Sequence, residues 1–198
     1  ITANNIKKVI TELDPTLTVR TDGFVAGENL SDLTAYSITR EAGEDKGTYD
    51  ILVTAESTNY DITFTDTAGT DLTPTDNTAT FADEFKILGA GELLVTLGDV
   101  TTEYGTSNTT VNANARYYSA VSQSIVTLTV QSDGNSGFEA YEGANKSFTY
   151  GVTTVEGANN ADRSAGGALN VGNYQIQGGS ANLIDTNLTS AEFMDGWL

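Results

Sequence analysis

The sequence contains no cysteine and no histidine among its 198 residues, and it has only two prolines. The chain can therefore form no disulfide, no Ser-His-Asp or Cys-His catalytic triad, and none of the usual zinc sites. Its stability must come from core burial and from pairing between strands. With 38% hydrophobic residues, the chain has enough apolar material to bury a core.

Basic residues are also scarce, with 9 Lys and Arg against 27 Asp and Glu, which gives a net charge of −18. A nucleic-acid partner is disfavoured because phosphates are neutralised by Lys and Arg, and an anionic membrane surface is disfavoured for the same reason. No apolar run approaches the length of a membrane span, so we expect no membrane insertion. Nothing at the N-terminus is typical of a signal peptide, and we expect the chain to be a segment of a longer protein.

Alternating apolar and polar residues dominate the sequence and predict strands. The clearest examples are Gly47–Ala55 and Asn59–Thr65, in which every second side chain is apolar. Leu93–Leu97 is apolar almost throughout, which predicts a strand buried on both faces. No segment shows a sustained helical period, although Gly27–Leu33 could hold one helical turn. The sequence therefore predicts an all-β protein.

Two short sequence segments recur along the chain, which indicates that one folding unit is present twice. Gly47–Ile51 is similar in sequence to Gly172–Ile176, and Ile1–Ile6 is similar to Val95–Val100. We predict two tandem β modules, 1–92 and 93–198, the second enlarged by an insertion. The favoured architecture is an elongated rod of two small immunoglobulin-like β-sandwiches. A β-grasp arrangement with one short helix near Leu30 is the alternative.

The first half of the chain resembles the MBG ("mostly bacterial") immunoglobulin-like repeat. The motifs that carry the resemblance are Ile1–Ala3, Leu13–Thr18, Gly23–Leu30, Arg40–Ile51 and Asn59–Phe64. It departs at Ile10-Thr11, where the family usually has Tyr-Gly. Such repeats stand in tandem along very large secreted bacterial adhesins.

The resemblance implies a stalk segment that is secreted or lies at the bacterial cell surface. There it would space an anchor from an adhesive tip and support attachment or biofilm formation. Its partners would be neighbouring repeat modules of the same chain. The resemblance supplies no catalytic residues, so we expect no enzyme activity.

Calcium is the ligand that the acidic loops suit best. Asp61, Asp66 and Asp71 recur every five residues, and Asp133 and Asn135 flank a glycine in a predicted turn. Hard oxygen ligands in loops are typical of Ca²⁺ sites. Asp is also an ordinary turn residue, so these positions have a purely structural interpretation. No cofactor other than Ca²⁺ is expected.

Aromatic residues in the predicted insertion offer a second candidate site. Tyr117, Tyr118, Phe138 and Tyr141 could stack on sugars, which would make the chain a carbohydrate- or protein-binding module that recognises host or matrix glycans or proteins. The competing interpretation is that the four rings pack in the core of the second module.

Two kinds of covalent chemistry remain open without histidine or cysteine. A carboxylate pair could hydrolyse glycosides; the candidates, which we interpret as solvated surface groups, are Glu41, Glu44, Asp83, Glu84, Glu139 and Glu142. A crosslink between a lysine and an Asn or Asp would need a buried lysine beside an acid. The lysines are Lys7, Lys8, Lys46, Lys86 and Lys146.

Overall fold

The computed structural model describes residues 1–99, 112–132, 137–156, 175–194 and 196–197. The chain divides into two compact units, Ile1–Leu88 (unit 1) and Gly89–Leu198 (unit 2). The part described contains strands and a single 3₁₀ turn, with no α-helix, so the all-β prediction is confirmed. None of its helical structure is long and apolar enough to cross a membrane. The predicted tandem modules with a boundary at 92/93 stay a prediction.

Unit 1 contains six strands and one short helix. They are β1 (Thr2–Ala3), β2 (Ile6–Val9), β3 (Val19–Arg20), the 3₁₀ helix η1 (Leu30–Asp32), β4 (Ala35–Arg40), β5 (Gly47–Glu56) and β6 (Thr78–Leu88). A four-stranded sheet has the order β2-β6-β5-β4, and β1 pairs with β3 in a second, two-stranded sheet. Pairing is antiparallel except between β2 and β6, which run parallel.

The alternation in Gly47–Ala55 places one face of β5 in the core of unit 1, as predicted. Ile51 and Val53 are fully buried and Ala55 is 2% exposed. Phe81 and Phe85 of β6 pack beside them, with Phe85 fully buried. Because β5 lies between β4 and β6, both of its edges are hydrogen-bonded and its apolar face fixes the register.

Two segments of unit 1 differ from the sequence prediction. Asn59–Thr65 keeps its alternation, with Phe64 buried, but forms only an isolated bridge at Thr65 instead of a strand. The backbone N–H of Phe64 donates to a side chain, the Thr73 hydroxyl, at 3.0 Å, which replaces a ladder bond. In contrast, Thr78–Thr80 begins β6 because it pairs with β5, although it belongs to the Thr-, Asp- and Gly-rich stretch Asp66–Asp83 that the sequence predicts as a long loop or weak hairpin.

The predicted helical turn is present as η1, and its N-terminus is fully capped. Asn29 accepts a hydrogen bond from the Ser31 N–H at 2.9 Å, and Asp32 accepts one from the Asn29 N–H at 2.8 Å. This reciprocal pair satisfies donors that a helix start leaves without partners.

The described residues of unit 2 form one eight-stranded sheet. Its strands are β7 (Glu92–Leu97), β8 (Ala113–Ser119), β9 (Ser124–Ser132), β10 (Gly137–Glu142), β11 (Asn145–Glu156), β12 (Gln175–Leu183), β13 (Ser190–Met194) and β14 (Gly196–Trp197). The order is β13-β7-β8-β9-β10-β11-β12-β14. Among the described strand pairs of this sheet, only β13–β7 is parallel. Leu93, Leu94 and Val95 are fully buried, which confirms the prediction of a strand enclosed on both faces.

The sheet of unit 2 folds back on itself around its core. Phe193 of β13 packs against Gly178 of β12, although these strands lie far apart in the strand order. A Cβ atom at Gly178 would overlap the Phe193 ring, so the close approach requires glycine there. Leu93, Phe148 and Ile176 join the same core. In the recurring segment Gly172–Ile176, residues 172–174 lie outside the described residues.

Candidate functional site

The most organised polar cluster in the described residues is in unit 1 and surrounds two buried cations. Lys8 of β2 is 1% exposed and Arg40, at the end of β4, is 8% exposed. Asp14 and Glu44 lie between them, 40% and 69% exposed. We call these four residues the charge cluster. They come from β2, the loop after it, β4 and the β4–β5 turn, so the fold brings distant parts of unit 1 together.

Every donor of the two cations has a partner. The Lys8 Nζ donates to Asp14 Oδ1 at 2.6 Å, to Glu44 Oε2 at 2.5 Å and to the Glu12 carbonyl at 3.0 Å. The Arg40 guanidinium donates to both carboxylates and, through Nη1, to the carbonyls of residues 41 and 43 at 2.7 Å. These bonds use all three protons of the ammonium and all five of the guanidinium. Such complete pairing is what allows charges to be buried.

Aromatic rings complete the surroundings of Arg40. Its Cζ atom lies 4.6 Å from the centre of the Phe85 ring and 5.4 Å from that of Tyr49. A guanidinium over an aromatic face is attracted by the ring quadrupole. The charge cluster is therefore joined directly to the apolar core of unit 1 through Phe85.

The protonation equilibria in the cluster favour ion pairs. The hydrogen bonds from Arg40, and then those from Lys8, hold the pKa of Asp14 below its ordinary value. Desolvation lowers the pKa of Lys8, but its bonds to Asp14 and Glu44 outweigh that effect and raise the pKa overall. An amide crosslink would require a neutral amine and a neutral acid. The buried lysine beside an acid is present at Lys8, but its electrostatics favour a salt bridge instead of a crosslink.

A strained turn lies beside the cluster. The Glu12 N–H donates to the Val9 carbonyl at 3.1 Å and closes the turn that follows β2. Thr11, within this turn, has a φ of +74°, a left-handed conformation that a β-branched residue rarely adopts. It occupies the position at which the resembled family usually has glycine. The left-handed conformation of this residue gives a physical reason for glycine in the family pattern, because glycine adopts it without a steric penalty.

Two of the four residues of the predicted aromatic site pack in or against the core of unit 2. Tyr117 is 3% exposed and Phe138 packs against the same buried cluster. Tyr118 and Tyr141 are half-buried. Burial, together with a hydrogen bond to Glu142 at 2.9 Å, raises the pKa of Tyr117 to about 12. A glycan-binding role for the four rings stays a prediction, and Tyr117 and Phe138 already have a structural role.

The predicted calcium ligands are separate in the described part of the chain. Asp66 accepts the N–H groups of residues 68 and 70 at 2.9 and 2.7 Å, and Asp71 accepts that of residue 73 at 2.8 Å. Both carboxylates therefore stabilise turns. Asp61 is exposed and lines a small cleft with Asp22. Within the described ranges no three acidic side chains group as a metal site would require. Asp133 and Asn135 lie outside those ranges, and calcium binding stays a prediction.

Most of the carboxylates considered for hydrolysis have structural partners. Asp83 accepts from the Thr48 hydroxyl at 2.5 Å and Glu84 from the Asn5 amide at 2.9 Å. Glu139 is held by Lys146 and Tyr141, which lower its pKa. Glu44 belongs to the charge cluster and Glu142 binds Tyr117. Each of these groups has a structural role that its sequence position did not indicate.

Comparison with known families finds a match for the first part of the chain. Residues 1–73 match the family model of the MBG domain (YGX type), which confirms the resemblance seen in the sequence motifs. The match contains β1 to β5, η1 and the whole charge cluster. The domain is typical of extracellular bacterial proteins and indicates a bacterial surface-protein module. Neither the curated proteins nor the solved structures contain a match to the chain.

Proposed function

Starting from the match of residues 1–73 to the MBG domain, we propose that the chain is a stalk segment of a secreted bacterial adhesin. In this role it sets the distance between a cell-surface anchor and an adhesive tip, supports attachment or biofilm formation, and catalyses no reaction. The family match is the observation that carries the proposal. Two compact β units in succession supply the kind of building block that a spacer requires.

The chemistry of the described residues supports a structural role. The two cations of the charge cluster direct all their donors to groups within unit 1 and leave none for a ligand. The surplus of carboxylates gives the net charge of −18, which keeps an extended surface protein soluble. Under this proposal the partners of the chain are neighbouring modules of the same protein.

The test is a length series displayed on bacterial cells. An epitope tag is placed at the tip of a constant anchor, with zero, one, two or four copies of residues 1–198 between them. The height of the tag above the envelope is measured by super-resolution microscopy. A folded spacer raises the tag in proportion to the number of copies, whereas Gly/Ser linkers of matched residue count raise it only as about the square root of their length.

Two outcomes would contradict the proposal. One is a tag height that follows the Gly/Ser series, since the chain would then set no fixed distance. The other is binding of glycans or matrix proteins by the chain without a tip, measured on a glycan array and with immobilised matrix proteins. That result would favour the alternative of a carbohydrate- or protein-binding module.

A further inference from the structure

Both units share one feature of topology, a parallel pairing between an early and a late strand. In unit 1, β2 pairs with β6 over four residues, from Ile6 opposite Phe85 to Val9 opposite Leu88. In unit 2, β7 pairs with β13 over five residues, from Glu92 opposite Ser190 to Thr96 opposite Met194. Every other strand pairing in the described residues is antiparallel.

The direction of these two pairs decides how a unit responds to tension. In a parallel pair, the end where the chain enters the early strand and the end where it leaves the late strand lie at opposite ends of the ladder. Tension along the chain therefore slides the strands past each other and loads all the ladder hydrogen bonds together. Tension applied at the same end of both strands would instead break the bonds one after another.

We infer that each unit bears tensile load, with the β2–β6 pair and the β7–β13 pair acting as its shear clamp. The inference deepens the proposed stalk function and rests on it for its biological meaning. A stalk that joins an anchor to a tip transmits whatever force acts on the tip. Tension reaches β2 through β1 and reaches β13 through β14, and each of these outer strands is only two residues long. Once they have detached, the sheared ladder keeps the unit folded at forces that would open an unzipping pair.

Side chains hold the clamp of unit 1 in place. Ile6 and Val9 of β2 are 7% and 0% exposed, so sliding β2 would expose apolar surface as well as break bonds. Lys8 adds ion pairs to Asp14 and Glu44, the latter on the β4–β5 turn. The ladder also continues beyond β2, because the Ile10 N–H donates to the Leu88 carbonyl at 2.8 Å.

The clamp of unit 2 is held by close packing. The Gly91 carbonyl accepts the Thr189 N–H at 2.8 Å and the Thr189 hydroxyl at 3.2 Å, just before the ladder begins. Leu93 and Val95 of β7 are fully buried. Phe193 of β13 is packed against Gly178. Sliding β13 would have to withdraw this ring from its place in the core.

Single-molecule pulling on the full chain tests the clamp, with cysteine pairs as handles because the chain has no native cysteine. For unit 1, the pair at Asn5→Cys and Ala90→Cys loads the ladder in shear. The pair at Asn5→Cys and Ala82→Cys pulls both strands from the same end. All three sites are outside the core, and Ala82 and Ala90 are exposed. Unfolding should release about 30 nm of chain in both geometries, at about 3.6 Å per residue.

The matched pairs for unit 2 are Ala90→Cys with a handle at the C-terminus for shear, and Ala90→Cys with Asn187→Cys for peeling. In each unit we expect the shear geometry to require a severalfold higher rupture force than the peeling geometry. Each variant is first compared with the unaltered chain by circular dichroism and thermal unfolding, so that a misfolded variant is recognised before it is pulled.

Equal rupture forces in the two geometries of a unit would overturn the clamp for that unit. Such a result would leave the display experiment intact, since a spacer can set distance without resisting force. Conversely, a strong direction dependence together with a tag height that follows the Gly/Ser series would retain the clamp and reject the spacer. The two tests therefore fail separately.

Discussion

The two units fix the same kind of strand pairing by different means. In unit 1 the parallel strand β2 carries a buried ammonium, and ion pairs from Lys8 and Arg40 surround it. In unit 2 the parallel strand β13 is held by steric fit, with Gly91 and Gly178 allowing close approaches. Electrostatic fixation depends on charge and pH, whereas steric fixation depends on volume. The units should accordingly fail under different perturbations.

The largest effects on stability should come from substitutions in the two apolar cores. Because each unit has its own core, we expect a substitution in one unit to leave the stability of the other unchanged. Phe85 of unit 1 and Phe148 of unit 2 are both fully buried in separate cores. We expect Phe85→Ala and Phe148→Ala each to lower the free energy of unfolding of its own unit by about 3–5 kcal/mol. Hydrogen-exchange mass spectrometry in increasing urea, with peptides from β5 and β9, reports the two units separately. Equal losses in both units from either variant would show one cooperative core.

The next effect concerns the charge cluster and is confined to unit 1. Asp14→Ala removes the acceptor shared by the two buried cations, which leaves both short of partners. Complete burial would make this cost larger, but Asp14 is 40% exposed, and solvent screening reduces the loss to about 2 kcal/mol. Hydrogen exchange of peptides from β5 measures this loss of stability in unit 1, while the exchange of peptides from β9 in unit 2 should not change. Asp61→Ala, also on an exposed site of unit 1, is the control and should change stability by less than about 0.5 kcal/mol.

The pH dependence of the same cluster has a defined sign. The pKa of Asp14 and that of Glu44 are lowered in the folded state from ordinary values of 3.8 and 4.5. Their contribution is therefore complete above those values and is lost as the pH falls through the folded pKa values. Acid should destabilise unit 1 in the unaltered chain by more than it does in Asp14→Ala. An identical acid profile for the two proteins would contradict this account.

Unit 2 should be sensitive to an added methyl group at the start of its clamp. Gly91 has a φ of +76°, and a Cβ atom there would lie 2.7 Å from the Asn187 carbonyl oxygen. The left-handed conformation alone costs a non-glycine residue about 1–2 kcal/mol, and the backbone contact adds to it. We expect Gly91→Ala to destabilise unit 2 by about 2 kcal/mol, measured by exchange of β9 peptides. Gly69→Ala, at a φ of +84° in open space, is the control for conformation without contact.

The sequence predicted what short-range patterns determine. The alternation of Gly47–Ala55 identified β5 and its buried face, and the apolar run Leu93–Leu97 identified a strand enclosed on both sides. Such patterns depend on the local period of the chain. Asn59–Thr65 has the same period but forms no strand, because a period does not supply a neighbour with free hydrogen-bonding groups.

The features that matter most for the candidate site depend on long-range contacts. Lys8 follows another lysine in a short strand and has the pattern of a solvated residue, yet it is 1% exposed. Its burial depends on Asp14, six positions away, and on Glu44, which the sequence places in a polar turn. Parallel pairing of β2 with β6 joins residues almost eighty positions apart and leaves no local signal. The one available signal was the family departure at Ile10-Thr11, which marked the turn beside the cluster.

The smallest expected effect is a gain in the stability of unit 1, and it concerns a residue type in which the two units differ. Thr11, in the turn after β2, and Gly91, just before β7, have similar φ values of +74° and +76°, but only Gly91 is a glycine. Thr11→Gly should therefore relieve the strain of a β-branched residue. Part of that gain is offset by the greater flexibility of glycine in the unfolded chain, so we expect unit 1 to be stabilised by about 1 kcal/mol.

A urea titration measures this gain as a higher midpoint with an unchanged slope. Thr80→Gly is the matched control, because Thr80 is also exposed in unit 1 but lies within β6, opposite Leu52 of β5. It should lower stability by about 0.5–1 kcal/mol, the usual cost of glycine inside a strand. If Thr11→Gly lost stability to the same extent as Thr80→Gly, the turn after β2 would not hold Thr11 in the left-handed region. The comparison of Thr11 with Gly91 would then have to be abandoned.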